Sequence, residues 1–295
     1  MWHLEDTFAR SKKYSSKLDI SRSLIRIFVL SMKNAEQLHL YPVPNNRVMA
    51  FSTTRHGGCG SGAYGSFNCT PYTGDELSVV LANQELLCKL VGITAEQLIV
   101  PYQTHSCNVI IVDEAFMQLS SDARHAMLQE KDAVITDVPN LCLCVSTADC
   151  VPVLLYDTAH EVVAAVHAGW RGTVEKIVVH TLQAMRERYD TRAADVHAII
   201  GPCISLEAFE VGIEVYEAFE HIGYDMEQIS RWHPEKEKYH IDLPAANRLQ
   251  LLAEGVPPTQ IHDSAICTYT QHHDFFSARR LGIRSGRILN GIVIK

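Results

Sequence analysis

Two heptapeptides govern the reading of this chain: Ser146-Thr147-Ala148-Asp149-Cys150-Val151-Pro152 and Val166-His167-Ala168-Gly169-Trp170-Arg171-Gly172. Each follows or ends an apolar run with a side chain able to bind a metal. The run 141–145 leads to Cys150, and 162–166 leads to His167. Such short apolar runs read as buried strands. Upstream, Gln103-Thr104-His105-Ser106 offers a third donor. Two imidazoles and one thiolate are the ligand set of a catalytic zinc with an open fourth position.

Further strands are predicted at 109–112, 133–136, 153–156 and 196–200, with a last one at 286–294. Asp137-Val138-Pro139-Asn140 reads as a turn that makes 133–145 a hairpin. Segment 47–54 reads as a strand entering the glycine-rich loop Arg55-His56-Gly57-Gly58-Cys59-Gly60-Ser61-Gly62, where backbone can approach a ligand closely. Helical spacing covers 75–91, closed by Gly92. Helices are also expected at 173–189, with Thr173 as cap, and at 213–222 and 244–254. Helices and strands mix without a strict βαβ rhythm, so the expected class is α+β with mixed sheets flanked by helices. No repeat or linker interrupts 35–295, which reads as one domain. Segment 1–31 reads as a leader, either loosely attached or an extension ahead of a natural start at Met32. Its apolar run 24–30 is too short to span a membrane, and it lacks the order of a secretory signal.

At 295 residues, 47% hydrophobic and 20% charged, the chain can bury a sizeable core. Its net charge of −8 argues against a general nucleic-acid binder. An anionic small-molecule substrate stays open, because the local field matters more than the total. The nine cysteines are scattered singly, without a Cys-x-x-Cys pair. That argues against a zinc ribbon or a thioredoxin motif and fits reduced thiols in a cytoplasmic protein.

His105, Cys150 and His167 stand 45 and 17 residues apart, too far for a finger-like site. They meet only if strand ends gather at one rim. Nitrogen and sulfur donors suit zinc or copper better than magnesium or calcium. Zinc would bring the pKa of a bound water towards neutrality. The bland alternative is three unrelated buried residues. A nucleophilic Cys150 with His167 as base competes for the same thiolate. In 169–173, a glycine-flanked helix start favours an anion, with Gly172 and Thr173 in the turn and Arg171 adding a planar fork. The alternative is a tight turn with a solvated arginine. Arg55 is either a cation that stabilises developing negative charge or half of a surface ion pair. Asn68 either orients a polar ligand or caps its loop. Asp149 either carries protons and supports a histidine ligand, or caps a turn. His240 and Asp242 share a face if 239–243 is a strand, with Asp242 the better helix cap. His272-His273-Asp274 reads as an exposed loop. The His-x-His pairs of a multi-copper site are missing.

Several of these stretches also carry a family resemblance. They are Thr54-Arg55-His56-Gly57-Gly58, Gln103-Thr104-His105, Asp132-Ala133-Val134-Ile135-Thr136 and Thr147-Ala148-Asp149-Cys150-Val151-Pro152-Val153, then His167-Ala168-Gly169-Trp170-Arg171-Gly172-Thr173, Ile200-Gly201-Pro202-Cys203-Ile204 and Phe276-Ser277-Ala278-Arg279-Arg280. In order, they resemble the motifs of the bacterial multicopper polyphenol oxidase-like family. It is also called the laccase-domain, purine nucleoside phosphorylase or peptidoglycan editing factor family. The resemblance covers about 47–295, and its departures are Cys59 and Cys69 in the glycine-rich loop. It implies one domain layered α/β/β/α, metal ligands at His105, Cys150 and His167, and an active-site role for Arg55. It also implies a zinc enzyme, with copper in an older assignment. The implied reactions are phosphorolysis of adenosine, inosine and methylthioadenosine, and deamination of adenosine. The expected partners are then a purine nucleoside and phosphate, with neither nucleic acid nor membrane. Phosphorolysis needs an anion site, which the 169–173 helix start or Arg55 would supply. Deamination needs a proton shuttle. The chain does not carry the paired His-x-Glu and Pro-Cys-x-x-Cys signature of cytidine-type zinc deaminases, so any shuttle is a different group, with Asp149 one candidate. Three rivals stand beside this reading: peptidoglycan-precursor editing at the same metal, a non-enzymatic module whose structural metal is closed by Cys203 or His240, and, least supported, a copper phenol oxidase.

Overall fold

Alternation within three buried strands sets the layers. In β6 (Cys142–Thr147), Leu143 and Val145 face one core, while Cys142 and Cys144 face another. In β7 (Val151–Asp157), Leu154 and Tyr156 join Leu143 and Val145, whereas Val151, Val153 and Leu155 turn to a third core. β8 (Val162–Ala168) divides likewise, with Val163 and Ala165 towards β6 and Val162, Ala164 and Val166 away. This is the period of two that a pleated strand imposes. A computed structural model describes residues 36–295, and the segment read as a leader lies outside the described residues.

The five-stranded sheet runs β1 (Leu38–Tyr41), β2 (Val48–Thr53), β14 (Ile288–Ile294), β6 and β3 (Leu98–Ile99). The six-stranded sheet runs β13 (Ile261–Asp263), β9 (Val196–Ile200), β7, β8, β5 (Ala133–Thr136) and β4 (Val109–Ile111). Both sheets mix parallel and antiparallel pairs. They stack face to face through Leu143, Leu154, Val163 and Ile292. Helix α1 (Leu77–Val91) covers the outer face of the five-stranded sheet, where Leu87 and Val91 meet Phe51 and Cys144. Gly92 ends it at φ 75°, a left-handed cap. After the short α2 (Trp170–Val174), α3 (Ile177–Tyr189) and α4 (Leu243–Ala253) cover the outer face of the six-stranded sheet. The layering is therefore α/β/β/α, as the family resemblance implies. A small sheet of β10 (Glu210–Val211), β12 (Lys238–Ile241) and β11 (Ser230–His233) stands beside it. Among the described residues, no helix is long and apolar enough to cross a membrane.

Two local expectations are corrected. Segment 133–145 is not a hairpin: β5 pairs with β4 and β8, whereas β6 pairs with β14 and β3. The turn at 137–140 carries the chain from one sheet to the other. Both strands are buried on both faces, so the apolar pattern marks them as strands without saying which neighbour each takes. The helix expected at 173–189 is two helices. Gly169 precedes the first, Thr173 sits inside it, and Lys176 breaks the chain at φ 60° before the second.

Gly291 of β14 lies level with Phe51 of β2 and Cys144 of β6. A Cβ there would fall 2.4 Å from Phe51 Cζ and 2.9 Å from Cys144 Sγ. Gly291→Ala is therefore expected to destabilise the fold by about 1–3 kcal/mol through overpacking. The measurement is the urea midpoint, which should fall at an unchanged m-value.

Candidate metal centre

The β7–β8 hairpin delivers two of the three donors. Its register pairs Val151 with Ala168 and Pro152 with His167. Cys150, one residue before β7, thus lies level with Gly169, one residue beyond β8. A Cβ on Gly169 would fall 2.8 Å from His105 Cδ2 and 3.1 Å from Cys150 Sγ, so glycine keeps the donors' space clear. The third donor comes from the loop between β3 and β4, where His105 takes φ 64°.

That loop is folded around one buried carboxylate. Asp132, just ahead of β5, accepts from the backbone N–H groups of Thr104 (3.2 Å), His105 (3.1 Å) and Ser106 (2.8 Å), and from Ser106 Oγ (2.7 Å). The alignment of β5 with β8 also sets it beside His167, whose N–H donates to the Asp132 carbonyl at 2.8 Å. The same carboxylate accepts from His167 Nδ1 at 2.7 Å. That bond fixes the ring and turns Nε2 towards Cys150.

His105, Cys150 and His167 place their donor atoms within 4.8 Å of one another, with Cys150 Sγ 3.8 Å from His105 Nε2. A tetrahedral zinc asks for about 3.3–3.6 Å between such donors. His167 is 3% exposed, Cys150 is half-buried and His105 is exposed, so the cluster opens to solvent on the His105 side. Burial pushes the Cys150 thiol up, but the charge of His167 and hydrogen bonds from both imidazoles outweigh it and bring it to about 6. Burial likewise lowers His167, yet the Cys150 charge and Asp132 lift it to about 9. Asp132 is pushed up by burial and drawn down to about 2 by His167 and Ser106. A thiolate therefore faces an imidazolium backed by a carboxylate. A divalent cation taking the place of the shared proton suits the same groups.

Asp149 holds a different post. It takes φ 92°, and its carboxylate accepts from Thr268 Oγ1 (2.8 Å), Ser277 Oγ (2.6 Å) and the Arg279 N–H (2.7 Å). Its carbonyl accepts from the Ile204 N–H at 2.9 Å. Asp149 thus clamps three segments to the residue before Cys150. The expectation that it supports a histidine ligand is corrected, because Asp132 does so. Asp132 opens one of the motifs of the family resemblance, where the sequence alone assigns it no role. The signal is a charged side chain directly abutting the largely apolar stretch 133–136, a group that must find partners if buried.

The remaining expected residues divide. Arg55 is fixed by bonds from Nε to Gly65 O (2.8 Å) and from Nη1 to His272 O (2.6 Å), and it stacks on Phe276 at 5.0 Å. Among the described residues it forms no ion pair. Asn68 is buried and braces its loop, donating to Thr73 Oγ1 and Asp75 and accepting from the Thr70 N–H. Thr173 is also buried. Its N–H and Oγ1 both donate to Gly169 O (2.8 and 2.9 Å), and Gly172 packs against Ser106. These two serve the helix and its packing, while Arg171 is exposed and stacks on Trp170 at 4.2 Å. Neither proposed fourth ligand joins the cluster. Cys203 pairs with Cys267 in a parallel bridge, and His240 stacks on His233 at 4.0 Å and bonds Leu206 O. Asp242 caps α4 by accepting from the Ala245 N–H. His272 and His273 lie in a turn, their rings 4.1 Å apart.

Comparison with known proteins converges on one family. Residues 49–295 match the model of a family described as multi-copper polyphenol oxidoreductase laccase. A purine nucleoside phosphorylase of Bacteroides thetaiotaomicron is 54% identical over 249 residues, covering 84% of this chain and 92% of that protein. Adenosine deaminase RL5, from an unknown prokaryotic organism, is 43% identical over 248 residues, covering 84% and 94%. The crystal structure of the hypothetical protein YfiH of Bacillus licheniformis superposes with a TM-score of 0.82 at 29% identity, covering 88% of this chain and 97% of that one.

Removing the charge of Asp132 loosens His167 and the His105 loop together. Asp132→Asn is expected to weaken binding of an added divalent metal ion about 10–100-fold, the usual effect of losing a carboxylate behind a ligating histidine. Chelator competition measures this, with circular dichroism as the check on folding.

Proposed function

We propose that this chain, which belongs to the multi-copper polyphenol oxidoreductase laccase family, is a zinc enzyme that phosphorolyses adenosine, inosine and methylthioadenosine and deaminates adenosine. The observation that carries this reading is the cluster of His105, Cys150 and His167, three donors of the catalytic-zinc type with one side towards solvent. Among the described residues it is the one group of three or more metal-capable side chains, which fits a single ion better than several coppers. The names of the relatives support the substrate class. The structural-metal alternative loses its fourth ligand, since Cys203 and His240 lie elsewhere.

When bound, zinc supplies Lewis acidity and a water of lowered pKa. The chain's own residues do the rest. Asp132 orients His167, and Gly169 keeps the approach to Cys150 clear. In phosphorolysis a phosphate oxygen bonds C1′ of the ribose as the C1′–N9 bond breaks, and the base leaves with the electron pair and takes up a proton. The anion needs a cation that is fixed and not already neutralised. Arg55 is held by two carbonyls and a ring, and forms no ion pair among the described residues. Arg171, being exposed, is the weaker candidate.

Adenosine with phosphate is expected to yield adenine and ribose 1-phosphate, and adenosine alone to yield inosine, both resolved by mass spectrometry. Cys150→Ala should abolish bound zinc, by elemental analysis, and lower phosphorolysis by about a hundredfold or more, the scale of losing an electrostatic catalyst. Full activity in a metal-free Cys150→Ala protein would overturn the reading.

A further inference from the structure

Arg287 is a second half-buried arginine at the same rim. The β14–β6 register pairs Ile288 with Thr147, so Arg287 lies level with Ala148, two residues from Cys150. Its backbone N–H donates to Asn68 Oδ1 at 3.1 Å, which joins it to the loop that Asn68 braces. Its guanidinium bonds main-chain carbonyls of its own turn: Nη1 to Ser285 O (2.7 Å) and Gly286 O (3.0 Å), and Nη2 to Ile283 O (3.0 Å). Among the described residues it forms no ion pair with a carboxylate, and its Nε–H makes no hydrogen bond. Burial works against its charge, while the negative charges of Cys150 and Asp149 favour it.

Arg287 and Arg55 are linked by one ring. Gly286 is pressed against Phe276, where a Cβ would fall 2.4 Å from Cζ, and Arg55 stacks on that same ring at 5.0 Å. The Gly286 N–H also donates to Ala63 O (3.1 Å), in the loop whose Gly65 carbonyl holds Arg55 Nε. Two half-buried guanidinium groups, each held by main-chain carbonyls and without a carboxylate partner among the described residues, thus stand on segments that pack on Phe276, with Arg287 in the field of Cys150 and Asp149. Half-buried cations left unneutralised cost stability and mark anion sites. The Nε–Nη2 side of a guanidinium is the fork that grips an oxyanion in two places.

We propose that Arg287 and Arg55 together form an oxyanion subsite for inorganic phosphate, with Arg287 on the Cys150 side. The assignment rests on the phosphorolysis reading and deepens it, by giving the phosphate a residue that neither the helix start at 169–173 nor Arg171 supplies.

The test is calorimetric titration of inorganic phosphate into the zinc-loaded full chain and its Arg287→Gln and Arg287→Lys variants, with zinc per chain measured for each. Arg287→Gln is expected to weaken phosphate binding about tenfold or more, the loss of a charge-assisted bond, and Arg287→Lys less so. In steady state, KM for phosphate should rise in Arg287→Gln while KM for the nucleoside and zinc content hold. A purely structural role would move all three together and overturn the proposal. Phosphate affinity within about twofold of wild type in Arg287→Gln would also overturn it. Should that variant not fold, Arg287→Lys decides: an unchanged KM for phosphate rejects the subsite, and a raised one supports it. Phosphate bound through Arg287 without any ribose 1-phosphate formed would sink the phosphorolysis reading and leave the subsite standing. Ribose 1-phosphate formed with an unaltered phosphate KM in Arg287→Gln would do the reverse.

Discussion

One buried carboxylate holds the centre together. Asp132 is fully buried, an environment that ordinarily drives a carboxyl group to neutrality. It stays ionised because the loop 104–106 wraps its N–H groups around it and His167 bonds it from the neighbouring strand. The dependence runs both ways. The loop that carries His105 has the positive φ it shows because it closes on that charge, and the His167 ring has its orientation for the same reason. Two of the three donors are therefore set by a residue that is not itself one of them.

Asp149 plays the complementary part for the third donor. Its carboxylate gathers Thr268, Ser277 and the start of the helix at Ala278–Leu281, and so fixes the chain next to Cys150. Two carboxylates, one ahead of β5 and one ahead of β7, thus brace a hairpin whose open end bears the thiolate and the imidazole.

Much of this was legible in the residues alone, for identifiable reasons. Apolar runs that end on Cys150 and His167 announced strands ending at a rim, and they lie in β6, β7 and β8 as expected, to within a few residues. Pairing was less legible. A strand buried on both faces shows no alternation to reveal its neighbour, so the turn at 137–140 looked like a hairpin when it joins two sheets. Asp149 drew attention because it adjoins Cys150. Asp132 lies 35 residues from His167 in sequence, and only the strand register brings them together. Thr173 looked like a cap from its position after a glycine, but the helix begins one turn earlier, where Gly169 needs no side chain. Arg287 is hidden for a similar reason, since it directly precedes a strand from the far end of the chain.

The bare α-carbon of Gly169 has an effect beyond leaving room. The space between the Cys150 sulfur and the His105 ring is walled at that point by the main chain of the hairpin, and that wall stays in place when neighbouring side chains turn over. Side chains lining the approach can then be exchanged without moving the backbone that separates the two donors.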